Sequence, residues 1–250
     1  MAFTLVGWTE SQDTSAALTQ VAGIVDQHVT VTGDDILVPD FAPFLAGAFA
    51  IGATISQARL SSPSMRKSTL FDVNPINIGA EPLWPTPWHN RFLTPRPLVP
   101  GEGLRALVAE GATGAEQDSM LAWLSDGQIS PVSGEIQTIR ATNGSTLTAY
   151  AWTIGALTLD QQLESGRYAI AGMRAQSAGL IAARLVIPGS PYRPGCIGYD
   201  ASSDVEDATF RYGNLGSWGE FEHTYIPQVE FLSVSADTAQ TVWLDVVKVA

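Results

Sequence analysis

The chain has 250 residues, and its 13 lysines and arginines against 25 aspartates and glutamates give a formal net charge of −12, which repels phosphate backbones and argues against direct nucleic-acid binding. Hydrophobic residues make up 45% and charged residues only 15%, while 23 glycines and 15 prolines recur in turn-like clusters, a composition for many short strands rather than long helices. A single cysteine, Cys196, excludes an internal disulfide. The start, Met1-Ala2-Phe3-Thr4, lacks the basic and apolar regions of a secretory signal, and the longest apolar run, Phe44 to Ile55, is too short to span a bilayer. The expectation is a soluble protein made in the cytoplasm.

Phe3 to Trp8 reads as a first strand. Leu18, Val21, Ala22 and Val25 then have helical spacing, but Gly23 weakens a helix, and 16–27 is taken as an insertion. His28 to Thr32 and Ile36 to Val38 form a hairpin about Gly33-Asp34-Asp35, and Phe49 to Leu60 reads as one long strand. Between Phe71 and Pro100 prolines are dense, which restricts that stretch to loop and edge structure, with Trp84 and Trp88 as candidate anchors.

Gly103 to Asp126 carries conflicting signals. Thr113 and Glu116 imitate a capping box ahead of Met120, Leu121 and Leu124 at helical spacing, which locally predicts a helix. An internal repeat predicts otherwise. Gly47-Ala48-Phe49-Ala50-Ile51 is echoed by Gly166-Arg167-Tyr168-Ala169-Ile170, Trp123-Leu124 by Trp243-Leu244, and Val29-Thr30-Val31 by Ala149-Tyr150-Ala151, each at a spacing of about 120 residues. The counterpart of Gly103–Asp126 is Val229 to Val249, two apolar runs about Ala236 to Gln240, so two strands and a turn are predicted in both places.

The repeat divides the chain into 1–127, a linker at 128–134, and 135–250. In the second half Ile136 to Ala141, Leu147 to Thr153 and Leu157 to Leu159 read as strands, and Gly166 to Ala175 and Gly179 to Ile187 as a pair of strands. Pro188 to Pro194 is turn-rich, Asp200 to Asp207 acidic, and Phe210 to Thr224 aromatic with interrupting glycines. About eight short strands per half without alternating helices fit an all-β sandwich or jelly roll.

No residue set points to catalysis. His28, His89 and His223 lack metal-ligand spacing, and Cys196 with His223 is a weaker reading than Cys196 as a packed apolar side chain. Asp34-Asp35 and the acids at 200–207 lack the ordered spacing of a calcium loop, and no pair of carboxylates stands out for glycoside hydrolysis. The reading is therefore of a protein with no catalytic residues, no cofactor and no metal.

Gly166 through Met173-Arg174-Ala175-Gln176-Ser177 to Pro188, then Arg193-Pro194-Gly195 and Phe210-Arg211-Tyr212, resemble segments of virion proteins. With the duplication, the chain resembles the double jelly-roll major capsid proteins of icosahedral, often membrane-containing, bacterial viruses. The resemblance implies two tandem eight-stranded jelly-roll barrels, with the chain assembling as a homotrimer whose pseudo-hexagonal footprint tiles a shell. It implies a structural, non-enzymatic protein of the virion, with itself and other virion proteins such as a penton as its partners and an internal membrane as a further candidate. Pro-rich loops would then lock neighbours together, with Trp84, Trp88, Tyr192 and Trp218 as interface candidates. A carbohydrate-binding or hydrolytic β-sandwich, such as a tail or adhesion module, is the competing expectation.

Overall fold

A computed structural model describes residues 2–12, 16–52, 54–67, 71–73, 75–77, 90–111, 116–128, 130–198 and 216–250. Apart from one 3-10 turn at Met65–Lys67, every regular element among them is a β-strand. The chain forms two compact units. One comprises Leu5–Ala80 and Trp88–Gly127; the other is built on Gln128–Ala250 and includes Met1–Thr4.

In chain order the N-terminal half contributes β1 (Phe3–Gln12), β2 (Thr19–Val21), β3 (Val31–Thr32), β4 (Asp35–Leu37), β5 (Phe44–Gly52), β6 (Ile55–Ser61), β7 (Phe71–Val73), β8 (Pro75–Asn77), β9 (Asn90–Pro97), β10 (Gly103–Glu110) and β11 (Glu116–Ser125). They make one sheet in the order β1-β11-β5-β8, with β9 also on β5, and a second in the order β3-β4-β10-β6-β7, with β2 on β10. The C-terminal half contributes β12 (Ile136–Asn143), β13 (Thr153–Gly155), β14 (Thr158–Leu159), β15 (Arg167–Gln176), β16 (Leu180–Val186), β17 (Gly195–Ile197), β18 (Gly219–Glu222), β19 (Gln228–Ser233) and β20 (Gln240–Lys248). Its sheets run β14-β12-β20-β15-β18 and β13-β19-β16-β17.

Three expectations are corrected. Phe49 to Leu60 is not one strand: β5 ends at Gly52 and β6 starts at Ile55 in the other sheet. The turn needs a residue without a side chain, because a Cβ on Gly52 would lie 2.1 Å from Asp118 Oδ1. Likewise β15 and β16 exist but do not pair with each other; they lie in different sheets, with β15 bonded to β20 and β16 to β19. The segment at 16–27, taken as an insertion because the repeat has no counterpart for it, joins a sheet, with β2 antiparallel to β10 through Val21 opposite Ala106. Leu147 to Thr153 is mostly irregular, with Tyr150 at φ 56 in a turn, and the strand there is Thr153–Gly155.

Between Gly103 and Ser125, long-range pairing overrides the local helical signal. β10 pairs with β6 from Arg105 opposite Ser61 onward, and β11 pairs with β5 from Ser119–Ile51 to Ser125–Phe44. Leu104, Ala106, Val108, Met120, Leu121 and Leu124 are all buried, so the apolar residues that mimic a helix serve two strands of the core. The halves match in strand order and not in residue register. Trp123 lies opposite Gly47, whereas Trp243 lies opposite Arg174. Gly166 precedes β15, at φ +149, where a Cβ would meet the carbonyl oxygen of Ala250 at 2.3 Å.

Within the second unit a charged cluster is enclosed. Arg184 on β16 is fully buried; its Nε donates to Glu230 Oε2 of β19 at 2.6 Å, and its guanidinium lies 4.0 Å from the centre of the Trp152 ring. Arg193 donates to the other oxygen of Glu230 at 3.3 Å.

Two carboxylates fasten turns. Burial raises the pKa of Asp237, but hydrogen bonds from the Ser177 hydroxyl and the N–H groups of Thr238, Ala178 and Ala239 outweigh it and hold it below its ordinary value. Glu102 is held low in the same way, its burial outweighed by the Ser64 hydroxyl, the N–H groups of Val99 and Ser64, and Ser62. A carboxylate depressed in the folded state stabilises the fold above its unfolded pKa, and that contribution is lost as pH falls through the folded value. Thermal unfolding is therefore expected to show a flat midpoint near neutrality that drops below about pH 4, with Asp237→Asn flattening the drop. A midpoint for Asp237→Asn that tracks the parent at every pH would refute this assignment.

Candidate interaction surface

The second unit carries the one group of sequence-predicted interface residues that the described structure brings together. Trp84 and Trp88 lie outside the described residues. Tyr192 and Trp218 line the same groove, of about 400 Å³, with Ser130–Ser133 and Glu220.

The local chain accounts for this placement. Pro188 to Pro194 turns after β16: Ser190 N–H donates to the Ile187 carbonyl at 3.1 Å, and Tyr192 N–H to Ser190 Oγ at 3.1 Å, which presents Tyr192 half-buried at the groove wall. Ahead of β18, Ser217 N–H donates to the Ser130 carbonyl at 2.7 Å and Trp218 N–H to the Ile170 carbonyl at 2.8 Å. These bonds fix the 130–133 segment and Trp218 as wall and floor. Gly219 follows at φ +147, where a Cβ would come within 2.5 Å of Ile187 Cδ1, so only glycine lets the strand start here.

Trp218 departs from its expected role. It is 1% exposed and packs edge-on against Phe3, with ring centroids 5.0 Å apart and planes at 78°. A ring so enclosed has no face left for a neighbour, so Trp218 is core under the groove. Tyr192 keeps exposed surface.

Next to the groove, and sharing Glu220 with it, is a pocket of about 270 Å³ bounded by Arg167, Pro188, Glu220, Phe221, Glu222 and Tyr225. The alternation Gly219-Glu220-Phe221-Glu222 turns Phe221 into the core and both glutamates outward. Arg167, on the neighbouring strand, pairs with Glu222 at 3.1 Å and Glu220 at 3.4 Å. Hydrogen bonding and charge from Glu222, then from Glu220, raise the Arg167 pKa further above its ordinary value. Two carboxylates thus share one guanidinium, and the strand keeps a negative charge. Tyr225, 69% exposed, stands at the rim.

The chemistry of the remaining candidates is that of packing. Cys196 is fully buried on β17, and burial drives its thiol far above the ordinary range against the opposing charge of Arg174, which keeps it protonated and non-nucleophilic. His223 Nδ1 accepts from the Gly166 N–H at 3.3 Å, and His28 tilts against Phe41 at 5.7 Å. Asp35 is held bidentately by Arg105, at 2.9 and 3.0 Å, and by Gln20 at 2.8 Å. His89 and the acids at 200–207 lie outside the described residues. Among the described residues, no three His, Cys, Asp or Glu side chains are placed to hold a metal ion.

The cluster of Arg184, Glu230, Arg193 and Trp152 escaped sequence reasoning. Its signal is faint but present: a lone arginine inside Leu180–Val186 and a lone glutamate in Val229-Glu230-Phe231, each at a position where an apolar strand tolerates charge only with a partner. The partner could not be named, because 46 residues separate Arg184 from Glu230.

No family model matches the chain, and no curated protein matches it. Among solved structures it is similar to the major capsid protein P2 from bacteriophage PM2, at 10% identity over 99% of this chain and 98% of that one, with a TM-score of 0.24. A likeness at that distance carries no statement about fold or function.

Proposed function

We propose that the chain is a structural shell protein: two tandem eight-stranded jelly rolls forming a major capsid protein whose trimers tile an icosahedral virion. The strand order in the two halves carries this reading. In the second unit, leaving aside the short edge strand β14, the first, third, sixth and eighth strands share one sheet as β12-β20-β15-β18, and the others share the second as β13-β19-β16-β17. In the first half β1, β11, β5 and β9 hold the corresponding places in one sheet, and β4, β10, β6 and β7 in the other. An order in which hydrogen-bonded neighbours are distant in sequence, with hairpins crossing between sheets, is that of a jelly roll, and its occurrence twice supports a double one.

A role without catalysis agrees with a buried, protonated Cys196 and with His223 engaged by the backbone. The functional surfaces are then those that meet other copies and virion partners such as a penton: the groove beside Tyr192 and the Pro-rich stretches at 71–100 and 188–194. The charge of −12 disfavours contact with the packaged genome, and an internal membrane is the remaining candidate partner.

Light scattering on the purified chain, with electron microscopy of the same sample, tests the reading. The expected species is a trimer of about 80 kDa, three times the chain mass of 26.6 kDa, or closed shells. A monomer that persists at high concentration, together with binding in a glycan screen, would transfer the chain to the carbohydrate-binding class.

A further inference from the structure

One turn of the C-terminal unit, just after β18, borders two pockets. His223 N–H donates to the Gly166 carbonyl at 3.0 Å and Tyr225 N–H to the Glu222 carbonyl at 2.8 Å, which pins the turn beside the start of β15. Glu222 and Tyr225 bound the pocket of about 270 Å³ described above, while His223, Thr224 and Ile226 bound another of about 560 Å³ whose remaining wall is Leu159 to Leu163. Among the described residues, Tyr225 is the one aromatic among the large apolar side chains left exposed. An exposed ring on a pinned backbone offers an apolar face that is already in place for a ligand.

The polar groups around that ring alternate between donors and acceptors. Arg167 Nε donates to Glu222 Oε1 at 3.1 Å and its Nη1 to Glu220 Oε2 at 3.4 Å, so each carboxylate keeps its second oxygen as an acceptor and the guanidinium between them keeps further N–H groups. In the other pocket His223 Nδ1 accepts from the Gly166 N–H at 3.3 Å, which in the neutral ring puts the proton on Nε2 as a donor. The exposed amides of Gln161 and Gln162 each add one donor group and one acceptor. A cation would use only the acceptors of such a site. An anion would use only the donors, and the net charge of −12 repels it. A sugar hydroxyl both donates and accepts, and the C–H face of a pyranose packs on an aromatic ring. We propose that this turn is a binding site for a neutral saccharide, with one ring on Tyr225 and its hydroxyls on Glu222 and Arg167, and the adjoining ring served by His223, Gln161 and Gln162. The site belongs to the single chain and does not depend on self-assembly; an assembly would repeat it in every copy and strengthen a weak single-site affinity through avidity.

Saturation-transfer-difference NMR of the full chain tests the proposal, with a panel of neutral mono- and disaccharides built on glucose, galactose, mannose and N-acetylglucosamine, and with spermine and inorganic phosphate as charged probes. At least one neutral saccharide is expected to bind, the disaccharide more tightly than its monosaccharide. Tyr225→Ala and Glu222→Ala are each expected to weaken that binding at least about tenfold, whereas Tyr225→Phe, which keeps the ring face, should bind like the parent. Both side chains are exposed, so thermal melts of the variants should stay close to the parent and a loss of binding reads as loss of the site. Absence of binding by every neutral saccharide at millimolar concentration would overturn the proposal. So would saccharide binding that Tyr225→Ala and Glu222→Ala leave unchanged, which would place it elsewhere, or binding of spermine alone that Glu222→Ala abolishes, which would make the pocket a cation site. None of these outcomes bears on the shell reading, since oligomeric mass does not enter the measurement.

Discussion

Replacing Glu230 by alanine is expected to destabilise the C-terminal unit by about 3–5 kcal/mol, more than the loss of any ion pair at the surface. Arg184 is fully buried, and the Glu230 side chain is 14% exposed. Their bond of 2.6 Å is supported by Arg193 at 3.3 Å and by the Trp152 ring under the Arg184 guanidinium. Removing the carboxylate strands a buried cation and leaves two guanidinium groups facing each other across the vacated space. The comparison pair is Arg167 with Glu222, whose side chains are 53% and 49% exposed and which water screens, so Glu222→Ala should cost far less. Urea denaturation followed by circular dichroism measures both. Because the penalty comes from an uncompensated charge, the double replacement Arg184→Met with Glu230→Leu should recover much of the loss. A Glu230→Ala protein within about 1 kcal/mol of the parent would show that water reaches Arg184 and that the cluster is not sealed.

The second large effect is expected at Trp218. Truncation to alanine removes a fully enclosed indole, leaves Phe3 without its edge-on partner and opens the floor of the Tyr192 groove, at a cost of about 3–5 kcal/mol. Trp218→Phe should cost clearly less. The indole N–H is buried without a hydrogen-bond partner, so phenylalanine gives up ring volume but no polar contact. Thermal melts ordered parent, Trp218→Phe, Trp218→Ala are the expected result. If Trp218→Phe proved as damaging as Trp218→Ala, the indole nitrogen would be implicated in a bond, and the purely apolar account of this residue would fail. Since the groove wall depends on Trp218, its alanine variant should also lower self-association even where it remains folded.

The class of fold was legible because composition and turn residues act locally. Glycine and proline punctuate the chain every few residues, and Val-, Ile- and aromatic-rich runs between them have strand length. Short echoes such as Trp123-Leu124 and Trp243-Leu244 favoured two strands over the helical pattern at Gly103–Asp126, and two strands are what form there. The echoes did not define equivalent residues: Gly47 faces Trp123 across two strands, while Gly166 sits outside β15. A short motif records which side chains suit a buried strand, not which partner lies opposite.

The candidate surface was less legible. Tyr192 and Trp218 were singled out as aromatics in glycine- and proline-rich company, but aromaticity does not distinguish an anchor from core, and the packing of Phe3 assigned Trp218 to the core. The pairing of Arg167 with Glu220 and Glu222 required knowing that β18 lies beside β15, a neighbour relation between stretches more than 50 residues apart.

By itself the sequence determined an acidic, all-β chain with no recognisable catalytic motif, because charge, strand propensity and turn chemistry are properties of residues and their near neighbours. The tertiary structure decided which sheet each strand joins, that β5 and β6, like β15 and β16, part company at their turn, and which charges are enclosed or left at an edge. Those outcomes depend on burial and on hydrogen-bond partners far away in the chain, and neither is written at any single position.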